Sequence, residues 1–202
     1  MIDSNVTTID NLPLTEEIFP KCVGLIGQRL EHNELPSNKG GNGVGLEKLL
    51  GLPQGSHACD FADGELKTAT LNLTETGLKD DFRISSVWRD GYNEKKMGNM
   101  IVVTVSQDGF IRGVYHLKIL DDPKVKTVYD REFNKIKQIG LDKISQRDTN
   151  FFVAKTQNHS RSLYIARAFM SVLLGYEFKG RKGYETYQEV FSDKNNTLED
   201  FC

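Results

Sequence analysis

Cysteine is scarce in this sequence and falls into no pattern. Cys22, Cys59 and Cys202 are the only three in 202 residues. An odd count without metal-ligand spacing argues against a disulfide framework and points to a reducing, intracellular setting, taken here as cytoplasmic. Long apolar runs are lacking as well. No stretch approaches the ~20 residues needed to cross a bilayer, so no membrane partner is expected. The opening MIDSNVTTIDNLP is polar and acidic, which is not the character of a signal peptide. Neither sign of charge is in large excess, since the formal net charge is −2. Bulk charge therefore gives no hint of nucleic acid, and any basic lining has to be local. Internal repeats and low-complexity tracts are also missing. What remains, with 38% hydrophobic and 27% charged residues, is an ordinary globule of a length that suits one domain.

The dense chemistry lies between Asn38 and Thr70, in NKGGNGVGLEKLLGLPQGSHACDFADGELKTAT. Gly64 to Leu73 reads as a strand, rich in Thr and Leu and preceded by an Asp63-Gly64 turn signal. Side chains alternate along a strand, so Glu65 and Lys67 share a face. Asp60 lies just before the turn, from which its carboxylate can fold back beside Glu65. Two carboxylates at one point repel unless a cation or a proton sits between them. Mg2+ suits that place, because it is hard, prefers oxygen and keeps several waters. Lys67 would then lie beside a metal-bound water, where it can orient that water or stabilise charge on a phosphate. On its own the pattern Asp-x4-Glu-x-Lys is weak, because an acid-x-lysine pair on a strand is usually a solvated face. Glu47 is unusual in a different way. It sits in the apolar run Val44–Leu50, with Val44 and Leu50 at i−3 and i+3 on a helix. A carboxylate there is either the rim of a solvated face or aimed at a metal site. The Gly-, Asn-, Ser- and Pro-rich stretch from Asn33 to Gly45 lacks the Gly-Lys-Ser/Thr ending of a P-loop and reads as a loop leading into that helix.

Taken together, Lys39-Gly40-x-x-Gly43-x-x-Leu46-Glu47-x-x-Leu50-Gly51, then Asp60-Phe61, then Glu65-Leu66-Lys67-Thr68, resembles the MutH-like endonuclease family. That family holds a mismatch-repair nicking enzyme and related type II restriction endonucleases of the PD-(D/E)xK superfamily. The link from Asp60-Phe61 to Glu65 is shorter here by about two residues, a departure that falls in the turn. A looser likeness runs through Phe151–Lys155 and Ser162-x3-Ala166-Arg167-x-Phe169 to about Leu174. The resemblance implies an α/β (α+β) fold with a restriction-endonuclease-like core, a central mixed sheet flanked by helices, in two lobes around a DNA cleft. It implies Mg2+-dependent, site-specific cleavage of double-stranded DNA that leaves a 5′-phosphate. Mn2+ is expected to substitute, and Ca2+ to support binding only. By position, Asp60 and Glu65 would be metal ligands with the Leu66 carbonyl as a third. Lys67 would be the catalytic lysine, Glu47 an extra active-site acid, and Lys39 would sit near the site or the scissile phosphate. A monomer or homodimer, and a cognate DNA methyltransferase in the same cell, belong to the same picture. Repair-type nicking, a nonspecific nuclease and a non-cutting DNA-binding module are the alternatives.

Elsewhere the periodicity predicts a helix from Thr15 to about Leu30. It predicts a buried strand over Met100–Val105, a Gln107-Asp108-Gly109 turn and a hairpin partner over Phe110–Leu120. A basic amphipathic helix over Val128–Ile139, a strand over Phe151–Lys155 and a helix over Arg161–Leu174 capped by Ser160 complete the reading. DNA-recognition elements are expected within residues 124–183. Lys96, in a basic turn before the central strand, and Lys155 are candidates for the phosphate backbone. Gln157, Asn158, His159, Ser160 and Arg161 form a polar cluster with groups that suit phosphates and base edges. For any one of these, a solvated or capping side chain is the ordinary role.

Overall fold

A computed structural model describes residues 12–30, 41–52, 60–85, 92–141, 143–145, 147–157, 160–180 and 182–191. Its centre is a strand, β3, Met100–Val105, with all six residues buried. A run of Ile and Val on a pleated backbone is well suited to burial on both faces. β1, Glu65–Thr70, pairs with β3 in parallel, from Glu65 opposite Met100 to Thr70 opposite Val105. β4, Ile111–Leu117, pairs with β3 on its other side, antiparallel. The expected mixed sheet is therefore present, in the order β1-β3-β4. The expected turn joins β3 to β4, with Gly109 at φ 92, the left-handed region open to glycine.

Alternation along β3 assigns its side chains to two different cores. Ile101, Val103 and Val105, with Leu66 and Ile111, face α1 (Thr15–Val23) and α2 (Gly41–Leu49) through Ile18, Cys22 and Leu46. Met100 and Val102, with Ala69 and Leu117, face a larger core on the opposite side. That core contains Val125, Tyr129 and Phe133 of α4, Pro123–Ile139, and the inner side chains of a second sheet. The second sheet is β2 (Phe82–Ser85), β6 (Ser160–Ile165) and β5 (Phe152–Gln157), in the order β2-β6-β5 and antiparallel throughout. The fold is thus mixed α+β, with a small mixed sheet flanked by helices.

Several elements depart from the sequence reading. α1 stops at Val23 rather than near Leu30. Gly24 follows as the C-cap, and Gly27, at φ 86, turns the chain back to β4, where Gly27 N–H donates to Ile111 O at 2.9 Å. Residues 160–165, expected as the start of a helix, form β6, paired with β5 from Gln157↔Ser160 to Phe152↔Ile165. Ser160 is consequently a strand residue and not a cap. The helix, α5, begins only at Arg167, whose amide is received by Asp81 Oδ1 at 2.8 Å. The apolar positions of this stretch fit a helical period, but cross-strand burial of Leu163 and Ile165 prevails over it. A basic turn was expected at Lys95-Lys96, and a helix, α3, Tyr92–Gly98, stands there instead. α6, Tyr184–Phe191, was not foreseen.

One buried acid has a purely structural task. Glu132 of α4 is 5% exposed, and its carboxylate accepts the amides of Asn150, Phe151 and Phe152 at 2.9–3.1 Å, fixing the approach to β5. Glu132→Ala leaves those amides without acceptors. It is expected to lower unfolding free energy by about 3 kcal/mol or more, read from urea titration.

Candidate active site

The site begins with the turn that precedes β1. Phe61, fully buried in the α1/α2 core, anchors it, and Phe61 N–H donates to Gly64 O at 3.1 Å. Gly64 cannot carry a side chain: an added Cβ would lie 2.5 Å from Asn99 O. β1 is the edge of its sheet, so alternate amides point away from β3. Glu65 N–H donates inward to Asn99 O at 3.1 Å. Leu66 N–H points outward and is taken by Asp60 Oδ2 at 2.9 Å. The turn therefore folds Asp60 back onto β1, as the spacing allowed, and the Leu66 carbonyl faces the same open edge as its amide.

Glu65 is 2% exposed. Its register opposite Met100 directs it to the face of the larger core, with Lys67, opposite Val102, on that same face. Lys67 Nζ donates to Glu65 Oε1. A second ammonium reaches that same oxygen from α3: Lys96 Nζ stands 2.7 Å from Oε1. Glu65 Oε2, in contrast, is buried with no hydrogen-bond partner among the described residues. Asp60 responds to this surrounding. Burial, and then the charge of Glu65, push its carboxyl above the ordinary carboxylate range, against the opposing pull of Lys67, the Leu66 amide and Lys96.

These features fit a hard divalent cation. Two carboxylates occupy one neighbourhood, one is held partly toward protonation by the other, and among the described residues a buried carboxylate oxygen has no donor. Oxygen donors of this kind are what Mg2+ prefers. The proton linkage gives a prediction. A raised folded-state value means that protonating Asp60 favours the metal-free fold. That contribution is complete below the unfolded carboxylate's value and is lost as pH rises through the folded one. Relative to Asp60→Asn, which stays neutral, the metal-free protein is expected to lose stability from about pH 4 upward, and Mg2+ to restore it. Thermal unfolding of both proteins across that range, with and without Mg2+, measures this.

The remaining candidates divide. Glu47 lies on α2, half-buried, beside the fully buried Leu46, which packs with Leu66. Lys96, expected at a phosphate, is 7% exposed and committed to Glu65. The placement of a lysine inside the site was missed because α3 was read as a turn. Lys155 pairs with Asp81 Oδ2 at 2.6 Å and lies 5.4 Å over the Tyr164 ring. The backbones of Gln157, Ser160 and Arg161 belong to β5 and β6. Lys39, Asn158 and His159 lie outside the described residues.

The sequence matches no protein-family model and no curated protein. No helix among the described residues is long and apolar enough to cross a membrane.

Proposed function

We propose that this chain is a Mg2+-dependent, site-specific DNA endonuclease of the MutH-like kind, with a restriction-endonuclease-like core and two lobes around a DNA cleft. The observation that supports this most is Glu65: a buried acid shared by two lysines through one oxygen, with its other oxygen unpartnered among the described residues and Asp60 beside it. Asp60, Glu65 Oε2 and the Leu66 carbonyl would hold the cation. Bound there, Mg2+ supplies Lewis-acid stabilisation of phosphate charge and a water of lowered pKa.

The chain's own groups do the rest. Lys67, about a quarter exposed, is the ammonium that can leave Glu65 Oε1 for a phosphate oxygen or an attacking water. Lys96, nearly enclosed, stays on Oε1 when Lys67 departs and holds the Glu65 carboxylate in place. Burial of Glu65 removes competing water and strengthens both contacts. A restriction enzyme is favoured over a repair nickase, with double-stranded DNA as partner and GATC as first trial site on resemblance alone.

One observation favours a second reading. Glu65 Oε1 is already neutralised by two ammonium groups, as it would be in a structural ion cluster of a DNA-binding module that does not cut. Digestion of methylated and unmethylated plasmid in Mg2+ separates the two. Discrete bands that vanish with EDTA support the endonuclease. A smear indicates a nonspecific nuclease, and a gel shift without cutting indicates the binding module.

A further inference from the structure

Asn99 stands between the end of α3 and the start of β3, and it uses almost every polar atom it has. Its carbonyl oxygen accepts Glu65 N–H at 3.1 Å. Its side-chain Nδ2 faces Asp63 Oδ2 at 2.9 Å, Asp63 O at 3.1 Å and Thr15 Oγ1 at 3.1 Å. Its Oδ1 lies 2.6 Å from His116 Nε2, which donates to it in the matching tautomer. Asp63 in turn accepts Thr15 N–H and Thr15 Oγ1–H, each at 2.8 Å, so the first residue of α1 is tied to the same point. Apart from the Asn99 carbonyl on the Glu65 backbone, these hydrogen bonds do not involve the carboxylates of the acid pair. They meet on the turn 60–64, the segment that puts Asp60 over Leu66 N–H.

The turn has few other anchors. Phe61 is buried, and Ala62 N–H donates to Pro13 O at 3.1 Å. The missing Cβ of Gly64 lets Asn99 O approach closely enough to receive Glu65 N–H. One asparagine thus fixes both ends of the lever: the backbone of Glu65 through its own carbonyl, and the Asp63 corner through its amide.

The geometry points to Asn99 as a positioning residue for the acid pair, acting through Asp63 and the turn 60–64 to hold Asp60 against Leu66 N–H beside Glu65. Its relevance to metal binding rests on the endonuclease reading above. Its structural effect does not. The closest comparison is with residues behind metal ligands, whose loss weakens affinity by about 10–100-fold while the ligands themselves stay intact.

The test uses Asn99→Asp, which keeps the shape, removes both donors and places a carboxylate against Asp63. Thr15→Val, nearly isosteric, removes the hydroxyl from the same cluster and serves if the first variant does not fold. Amide hydrogen exchange is followed residue by residue in the metal-free full chain, and binding of Mn2+ alone is followed by calorimetry. Exchange at Leu66 is expected to quicken by about tenfold or more, with Val102 and Val103 unchanged. The Mn2+ dissociation constant is expected to rise about tenfold or more, with turnover at saturating metal within about threefold of the parent. Unchanged Leu66 exchange overturns the proposal. So does a rise shared equally by Val102 and Val103, which marks a merely structural residue. If the parent protein neither binds Mn2+ nor cuts DNA, the endonuclease reading fails, and Leu66 exchange still decides the role of Asn99.

Discussion

Glu65→Ala is expected to abolish cleavage and also to destabilise the fold, by about 3–5 kcal/mol. The two effects have separate causes. Cleavage is lost because the buried carboxylate that would hold the cation is gone. Stability is lost because Lys96, with its side chain only 9% exposed, loses the carboxylate oxygen that stands 2.7 Å from its ammonium. A burial cost of that kind is far larger than the value of an exposed ion pair. The double variant Glu65→Leu/Lys96→Met removes both buried charges. It is expected to recover most of the stability and none of the cleavage. Urea unfolding and plasmid digestion of the three proteins check this. A stable Glu65→Ala, or cleavage by either variant, would remove Glu65 from the role assigned to it.

Lys67→Ala is expected to separate the same two quantities in the opposite way. Lys67 is 26% exposed, so its removal leaves one lysine, Lys96, on Glu65 and costs the fold little. Cleavage is expected to fall by about 10²–10³-fold, the usual effect of deleting one group aimed at developing charge. DNA binding in Ca2+ is expected to persist. Lys67→Arg keeps the charge but replaces a compact ammonium with a planar fork, and is expected to stay impaired. Gel shifts in Ca2+ beside digestion rates in Mg2+ make the comparison. Parallel loss of binding and cleavage would assign Lys67 to DNA affinity and not to the reaction.

The parts of this site that the sequence disclosed are those governed by local rules. Alternation along β1 requires Glu65 and Lys67 to share a face, and they do. The Asp63-Gly64 signal requires a turn, and the turn brings Asp60 back to Leu66. β3 was legible because a run of Ile and Val has few alternatives to a buried strand. The start of α4 was less so: Asp122 caps it, with Pro123 in the first turn, ahead of the periodic residues that reveal its body.

What stayed hidden depends on partners distant in sequence. Residues 160–165 carry apolar positions that serve a helix as well as a strand, and only pairing with β5 and β2 decides between them. Lys96 lies 31 residues from Glu65, and a lysine next to another lysine gives no sign that one of them is buried. Asn99 is likewise an ordinary residue between a helix and a strand until Thr15, Asp63 and His116 converge on it. Glu47 was noticed for its odd position in an apolar run, and α2 sets it beside Leu46, which shares the α1/α2 core with Leu66.

Anomalous diffraction from a crystal soaked in Mn2+ is the most direct measurement of the acid pair. The prediction is one strong peak bounded by Asp60, Glu65 Oε2 and the Leu66 carbonyl, with Lys96 still on Oε1. An empty map at that position, with both lysines remaining on Glu65, would contradict a metal-dependent nuclease and leave a structural ion cluster in its place.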